Sequence, residues 1–381
     1  MNMSVKAPPI EFIDLKAQRR RLGPALDAAI RDAVEGGQYI LGPQVAAFEQ
    51  KLAAFSGARH AIGTANGTDA IVLCLAALGI KAGDAVLCPA FTFAATAEAV
   101  AWVGATPVFV DVEEATFNID PNALTSGLDT AKRQNLTPRA IIAVDLFGQT
   151  ADYDALEAFC TAQNLALICD AAQSFGALRG SKRAGAFGTL TTTSFFPAKP
   201  LGCYGDGGAI MTSDDALATL IRSLRSHGQG SQKYDNVRIG LNSRLDTLQA
   251  AILLEKLAIF DDEIDARQRV AQRYDAGLRD LVATPQVMDG CVSVWAQYTI
   301  RIPGGRREGF MARMREQGVP TAIYYPKPLS QQEAYRHYPV AGNGVAVSER
   351  LAREVVALPM HPYLDEATQD RIIEAARTAL S

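Results

Sequence analysis

Short apolar runs alternate with amphipathic stretches through the first 225 residues. Ala85–Cys88, Pro107–Val110, Ala140–Asp145 and Leu165–Asp170 are almost continuously apolar and bounded by Gly, Pro or Asp. Runs of this length without polar alternation are the pattern of strands buried on both faces, as in a parallel sheet. Between them, Thr68–Leu78, Ala94–Val103 and Tyr153–Gln163 carry apolar residues at helical spacing. This strand–helix alternation predicts an open α/β sheet, in which ligands collect at the carboxyl ends of the strands.

Two helices are predicted ahead of the sheet: Ala25–Glu35, ending in Gly36-Gly37, and Val45–Phe55, which follows Gly42-Pro43. A long helical pattern from about Asp246 to Leu281 reads as a connector. Beyond it, Trp295–Ile302, Glu308–Gln317 and two later helices suggest a smaller α+β lobe, with Tyr324 to Leu329 as a loop. At 381 residues, two domains are expected. Residues 1–245 form the large one, with its N-terminal helices, and residues 246–381 the connecting helix and small C-terminal domain. No internal repeat or low-complexity tract is present.

Composition narrows the functional classes. Hydrophobic residues make up 48% and charged residues 20%, ordinary for a soluble globular protein of this size. The 37 Lys and Arg against 41 Asp and Glu, a formal charge of −4, give no electrostatic footprint for nucleic acid or an anionic membrane. Met1 to Arg21 has no leader-like apolar core. The most apolar region, Ala85 to Val112, is interrupted by Pro89, Glu98, Gly104 and Pro107 and predicts no membrane-spanning helix. Six cysteines without a CxxC pair read as buried, reduced thiols. Four histidines, none spaced to share a metal on one helix, argue against zinc. A cytoplasmic, metal-free protein is expected.

The candidate chemistry begins with Ser194-Phe195-Phe196-Pro197-Ala198-Lys199. A lysine among apolar and aromatic neighbours has a destabilised charge, so its amine can serve as nucleophile and base, as a Schiff-base lysine requires. Upstream, Asp170 ends a predicted buried strand, where a carboxylate can hold a pyridine nitrogen protonated; Gln173, three residues on, can reach a ring hydroxyl. In Gly63-Thr64-Ala65-Asn66-Gly67-Thr68-Asp69-Ala70, a glycine turn opens an apolar helix, whose free N–H groups make a phosphate cradle. Phe93, after the next strand, can stack on a flat ring. Each feature alone has a plainer reading: a snorkelling lysine, an aspartate capping a turn, a common glycine turn and a core aromatic.

Together these segments resemble the pyridoxal-phosphate enzymes of the DegT/DnrJ/EryC1/StrS family, the nucleotide-sugar aminotransferases. The resemblance runs from Phe12-Ile13-Asp14-Leu15 to the C-terminal lobe. It rests on Asn66-Gly67-Thr68-Asp69-Ala70, Thr92-Phe93, Asp170-Ala171-Ala172-Gln173-Ser174 and Ser194 five residues before Lys199. Gly205-Asp206-Gly207-Gly208-Ala209 and Gly240-Leu241-Asn242-Ser243-Arg244-Leu245-Asp246 match as well. It implies fold type I, aspartate aminotransferase-like: a large, mostly parallel sheet domain plus a smaller C-terminal α+β domain. It also implies a homodimer with each active site completed by the neighbouring subunit. The implied cofactor is pyridoxal 5′-phosphate, with pyridoxamine 5′-phosphate as its aminated form. Carried over by position, Lys199 is the Schiff-base lysine, Asp170 pairs with the pyridinium nitrogen, Gln173 reaches the ring oxygen and Phe93 stacks on the ring. Ser194 with Gly67, Thr68 and Asp69 holds the phosphate, and Asn242 reaches it from the partner chain.

The resemblance further implies that L-glutamate gives its amino group, leaves as 2-oxoglutarate, and a nucleotide-linked keto sugar receives the amine. Asn242 to Leu254 is most similar to the subgroup that aminates C3 of UDP-linked 2-acetamido-3-keto-glucuronate for surface polysaccharides. Arg244 can clamp a carboxylate by paired hydrogen bonds, or simply pair with Asp246. Tyr324 and Tyr325 match a substrate-facing loop contributed by the second subunit, and Tyr324 stands where that subgroup tends to carry histidine. The alternatives are C3 amination of a sugar without the carboxylate, whether 3-keto UDP-N-acetylglucosamine or a dTDP-6-deoxy sugar, and then C4 amination. A sugar dehydratase is disfavoured because Lys199 is a lysine rather than a histidine. A non-catalytic regulator has no need of the Asp170, Gln173 and Lys199 set. His227, ending a predicted helix, is left outside the expected site.

Overall fold

The computed structural model describes residues 9–232 and 234–380. Residues 1–8, part of the stretch expected to carry no leader, lie outside the described residues. In chain order the strands are β1 (His60–Thr64), β2 (Asp84–Pro89), β3 (Thr106–Val110), β4 (Thr137–Val144), β5 (Ala166–Asp170), β6 (Leu178–Arg179), β7 (Lys182–Arg183), β8 (Leu190–Ser194), β9 (Gly208–Thr212), β10 (Cys291–Val292), β11 (Tyr298–Arg301) and β12 (Val355–Leu358). Seven of them make one sheet in the order β1-β9-β8-β5-β4-β2-β3. The pairings β2–β3, β2–β4, β4–β5 and β5–β8 are parallel, and β9 alone runs against its neighbours β1 and β8. This is the mostly parallel α/β sheet that the apolar runs predict. The carboxyl ends of β1, β2, β4, β5 and β8 consequently lie along one edge.

One core packs β2, β4 and the helix Gly67–Ala77 through Ile71, Leu75, Val86 and Ile142, all buried. On the other face Leu87, Ile141 and Leu167 meet Leu124 and Leu156. The pattern expected as one connector over 246–281 is two helices, Thr247–Leu257 and Phe260–Leu278, broken at Ala258-Ile259. The first packs Ala250 and Leu253 against Phe48, Leu52 and Phe195. The second presents Tyr274 and Leu278 to a separate core under β11 and β12, with Phe310, Met314 and Ile372. Trp295–Ile302 contains the strand Tyr298–Arg301, and the stretch expected as a loop over Tyr324–Leu329 is one up to Pro328, where the short 3-10 helix Leu329–Gln331 begins. The six cysteines carry free thiols, five of them buried and Cys291 half-buried. Among the described residues no helix is long and apolar enough to cross a membrane, and no three His, Cys, Asp or Glu gather as metal ligands.

Candidate active site

The strand ends open onto a cleft of about 470 Å³. Gly67, Thr68, Phe93, Asp170, Gln173, Ser194, Lys199, Tyr324 and Tyr325 all line it, although they come from separate parts of the chain; Tyr324 and Tyr325, expected to enter from the second subunit, lie in the cleft of their own chain, where Tyr325 meets Gln173. Topology explains much of this. Asp170 and Ser194 end the parallel neighbours β5 and β8, paired with Asp170 opposite Thr192. Gly67 follows β1, and Phe93 follows β2.

At one end of the cleft the helix Gly67–Ala77 begins. Asn66 caps it, its Oδ1 accepting the Asp69 N–H at 2.8 Å, while the Asn66 carbonyl accepts the Ala70 N–H at 3.2 Å. The Gly67 and Thr68 amides precede the first intrahelical bond and are left for an anion at the positive helix end. Asp69, expected in the phosphate site, does not line the cleft, and its amide is taken by the Asn66 cap. Glycine is needed here for space. A Cβ on Gly67 would stand 2.7 Å from the Ser194 Cβ, and one on Gly208 would stand 2.5 Å from the Asn66 backbone. We predict that Gly67→Ala folds but binds pyridoxamine 5′-phosphate about tenfold or more weakly, since overpacking costs about 1–3 kcal/mol. Titrating the apoprotein by fluorescence checks this, and unchanged affinity would remove Gly67 from the cradle.

The middle of the cleft holds the charged groups. Asp170 is buried, and its Oδ1 accepts from the Ala172 N–H at 3.1 Å and the Thr192 hydroxyl at 3.4 Å. Burial raises its pKa above the ordinary carboxylate value, while the Ala172 amide, the Lys199 ammonium and the Thr192 hydroxyl pull it back. Burial likewise lowers the Lys199 pKa, with Asp170 opposing. Gln173 is held at both ends of its amide: Oε1 accepts the Phe147 N–H at 2.8 Å and Nε2 donates to the Tyr325 hydroxyl at 3.1 Å. Because a backbone N–H fixes Oε1, the amide presents Nε2 as its donor, with a second hydrogen to spare. Phe93 is 55% exposed, with its ring centroid 6.0 Å from that of Tyr325, leaving an aromatic face open at the cleft.

A buried layer supports these groups. The Asp145 carboxylate accepts from the Ala151 N–H at 2.8 Å, the Tyr153 hydroxyl at 2.7 Å and the Ser174 hydroxyl at 2.6 Å. It ties the turn carrying Gln173 to the end of β4, and burial pushes its pKa up to about 7. On the other side, the fully buried Lys256 donates to the Gly202 carbonyl at 2.6 Å, pinning the loop that follows Lys199; burial lowers its pKa to about 8.

Asn242 and Arg244 do not line their own chain's cleft: Asn242 is exposed and Arg244 half-buried. Between them Ser243 is buried and accepts the Ala65 N–H at 3.2 Å, which seats this segment beside the cradle. His227 lines a different, shallow hollow with Ser226, Tyr234 and Ile239. The cleft also takes in Ile13, Asp206 and Gln297, which the sequence reading did not single out as site residues. In the sequence Gln297 alternates with Thr299 and Arg301 as polar positions in Trp295–Ile302, and nothing marks it out from them.

A mostly parallel sheet with this cleft at its strand ends is the architecture of a fold-type-I aminotransferase, and comparison with known proteins carries the identification further. The DegT/DnrJ/EryC1/StrS aminotransferase family model matches residues 21–377, and the chain belongs to that family. UDP-2-acetamido-2-deoxy-3-oxo-D-glucuronate aminotransferase of Pseudomonas aeruginosa is 49% identical over 372 residues, spanning 97% of this chain and 99% of that one. UDP-N-acetyl-3-dehydro-alpha-D-glucosamine 3-aminotransferase of Acidithiobacillus ferrooxidans is 39% identical over 375 residues, spanning 97% and 98%. The crystal structure of a family aminotransferase from Brucella abortus matches with a TM-score of 0.96 at 51% identity, covering 98% of this chain and 100% of that one. The protein is an aminotransferase.

Proposed function

We propose that this enzyme moves the amino group of L-glutamate to C3 of a UDP-linked 2-acetamido-3-keto sugar, the glucuronate, for surface polysaccharide synthesis. Family enzymes use pyridoxal 5′-phosphate, and the cleft suits it: an anion cradle at one end, an open aromatic face and a buried carboxylate. When bound, the cofactor would supply an electron sink at the reacting carbon and a carrier for the amino group. In this reading the Gly67 and Thr68 amides and the Ser194 hydroxyl hold the phosphate, and Phe93 covers the ring. Asp170 holds a proton at the ring nitrogen, and Gln173 Nε2 donates to the ring oxygen. The Lys199 Nζ, whose neutral form burial favours, carries the proton between substrate and cofactor carbons.

The division into residues 1–245 and 246–381 belongs to the same proposal, with the separate core under β11 and β12 in its support. So does a homodimer in which Asn242 reaches the partner's phosphate site and Arg244 the substrate carboxylate. Its support is a band of exposed apolar side chains beside Asn242, with Tyr234 at 84% and Ile239 at 97% exposure. As an enzyme of nucleotide-linked sugars and glutamate, it is placed in the cytoplasm.

The observation that carries the sugar reading is the 49% identity, over nearly full length, to an aminotransferase of the 3-oxo-glucuronate. A second reading, a 3-keto sugar with a hydroxymethyl at C6, is favoured by Tyr324, which brings no ionisable imidazole to the cleft. The test follows the visible absorption of the cofactor-loaded enzyme mixed with L-glutamate, with UDP-2-acetamido-3-amino-glucuronate, or with its 6-hydroxymethyl counterpart. Bleaching by glutamate and the uronate alone supports the first reading, and bleaching by the neutral sugar instead supports the second. Bleaching by glutamate and neither sugar would overturn both.

A further inference from the structure

Gln297 enters the cleft from a rigidly held segment. Gly148, at φ +120°, lets the chain after β4 press against it: a Cβ there would stand 2.6 Å from the Trp295 amide nitrogen and 2.7 Å from that of Ala296. The Gln297 amide nitrogen itself donates to the Phe147 carbonyl at 3.3 Å. The adjacent Phe147 N–H holds Gln173. The Gln297 backbone is thus fixed to the same loop that orients Gln173, while among the described residues its side chain makes no hydrogen bond. Its Oε1 is buried without a hydrogen-bond partner, and among the described residues no group accepts from its Nε2. Gln173 lines the same cleft with both ends of its amide paired.

A buried acceptor without a donor is costly, and a side-chain amide with no bond to break turns about its last torsion at little expense. Such a group is suited to meeting a ligand. Resting on the sugar reading above, we infer that Gln297 is a specificity-determining residue whose carbonyl oxygen accepts a hydrogen bond from an O–H or N–H of the nucleotide-linked sugar. Glutamate does not fill this role. Its ammonium is the reacting group, required beside Lys199, and its two carboxylates only accept. The sugar keeps hydroxyl and acetamido N–H donors that take no part in the reaction. A site that pairs a buried amide with such a donor discriminates strongly against analogues lacking it.

The test uses Gln297→Met, similar in length and apolar, loaded with pyridoxal 5′-phosphate, and compares the two half-reactions by stopped-flow absorption. We expect the glutamate half-reaction at its wild-type rate and half-saturation. With whichever 3-amino UDP-sugar the wild type accepts, half-saturation rises about tenfold or more, the loss of one hydrogen bond in a dry site. Sugars lacking the 2-acetamido group or the 4-hydroxyl complete the test: one of them weakens the wild type to the same extent and leaves the variant indifferent. Equal loss in both half-reactions would make Gln297 a structural support and overturn the inference, as would no loss in either. Loss confined to glutamate would assign the amide to a carboxylate and also overturn it. A wild type that reacts with glutamate and neither sugar marks failure of the sugar reading itself.

Discussion

Lys199→Ala is expected to lower turnover by roughly 10⁴-fold while the protein keeps its fold and still binds pyridoxamine 5′-phosphate. The two outcomes separate because Lys199 and the cradle are held by different contacts. The Lys199 backbone N–H donates to the Phe196 carbonyl at 2.8 Å, and the following loop is pinned by Lys256 at Gly202. Removing the side chain beyond Cβ leaves both contacts, and leaves the Asn66 cap and the Gly67–Ser194 contact untouched. What disappears is an amine whose charge burial disfavours, the group placed to take and return a proton. Single-turnover absorption with glutamate measures the loss, and a fluorescence titration measures the retained binding. A variant that turns over at wild-type rate would sink the assignment of Lys199, whereas one that loses cofactor binding equally would make the lysine an anchor.

How much of this was legible in the chain follows from what each element hides. The central strands are buried on both faces, so Val86-Leu87-Cys88 and Ile141-Ile142 show as apolar runs, and the helix Tyr153–Gln163 shows its spacing plainly. β8 escapes that reading because it is Leu-Thr-Thr-Thr-Ser. Its threonines are buried all the same, with the Thr191 hydroxyl donating to the Phe187 carbonyl at 2.9 Å and that of Thr193 to the Ala171 carbonyl at 3.2 Å. β-Branched residues fit a strand whatever their polarity, and only tertiary structure reveals their partners. The break at Ala258-Ile259 carries no Gly or Pro and was invisible for that reason. The site divides in the same way. Lys199, Asp170 and Gln173 stand in recognisable local contexts, but the supporting contacts join distant residues. Arg225 donates to the Gly63 carbonyl at 2.8 Å and pairs with Glu49, and Ser243 meets Ala65. No spacing along the chain announces such pairs, and an isolated glutamine such as Gln297 becomes conspicuous only once its lack of partners is seen.

Asp170→Asn is expected to reduce turnover by about 10²–10³-fold with little change in cofactor affinity or fold. The asparagine keeps the shape and, through Oδ1, the bonds from the Ala172 amide and the Thr192 hydroxyl, so the turn that carries Gln173 stays in place. What it lacks is charge. Burial raises the Asp170 pKa, and the Lys199 ammonium is among the groups that draw it back, so a cation in the cleft favours the charged carboxylate. By the same linkage the carboxylate favours a protonated nitrogen beside it, and a neutral amide does not. The variant bound to pyridoxamine 5′-phosphate should therefore lose the ring proton at lower pH than the wild type, a downward shift visible in a spectrophotometric pH titration. Reduced turnover without that shift would make Asp170 only a structural member of the turn. The shift without reduced turnover would show that ring protonation does not limit the reaction.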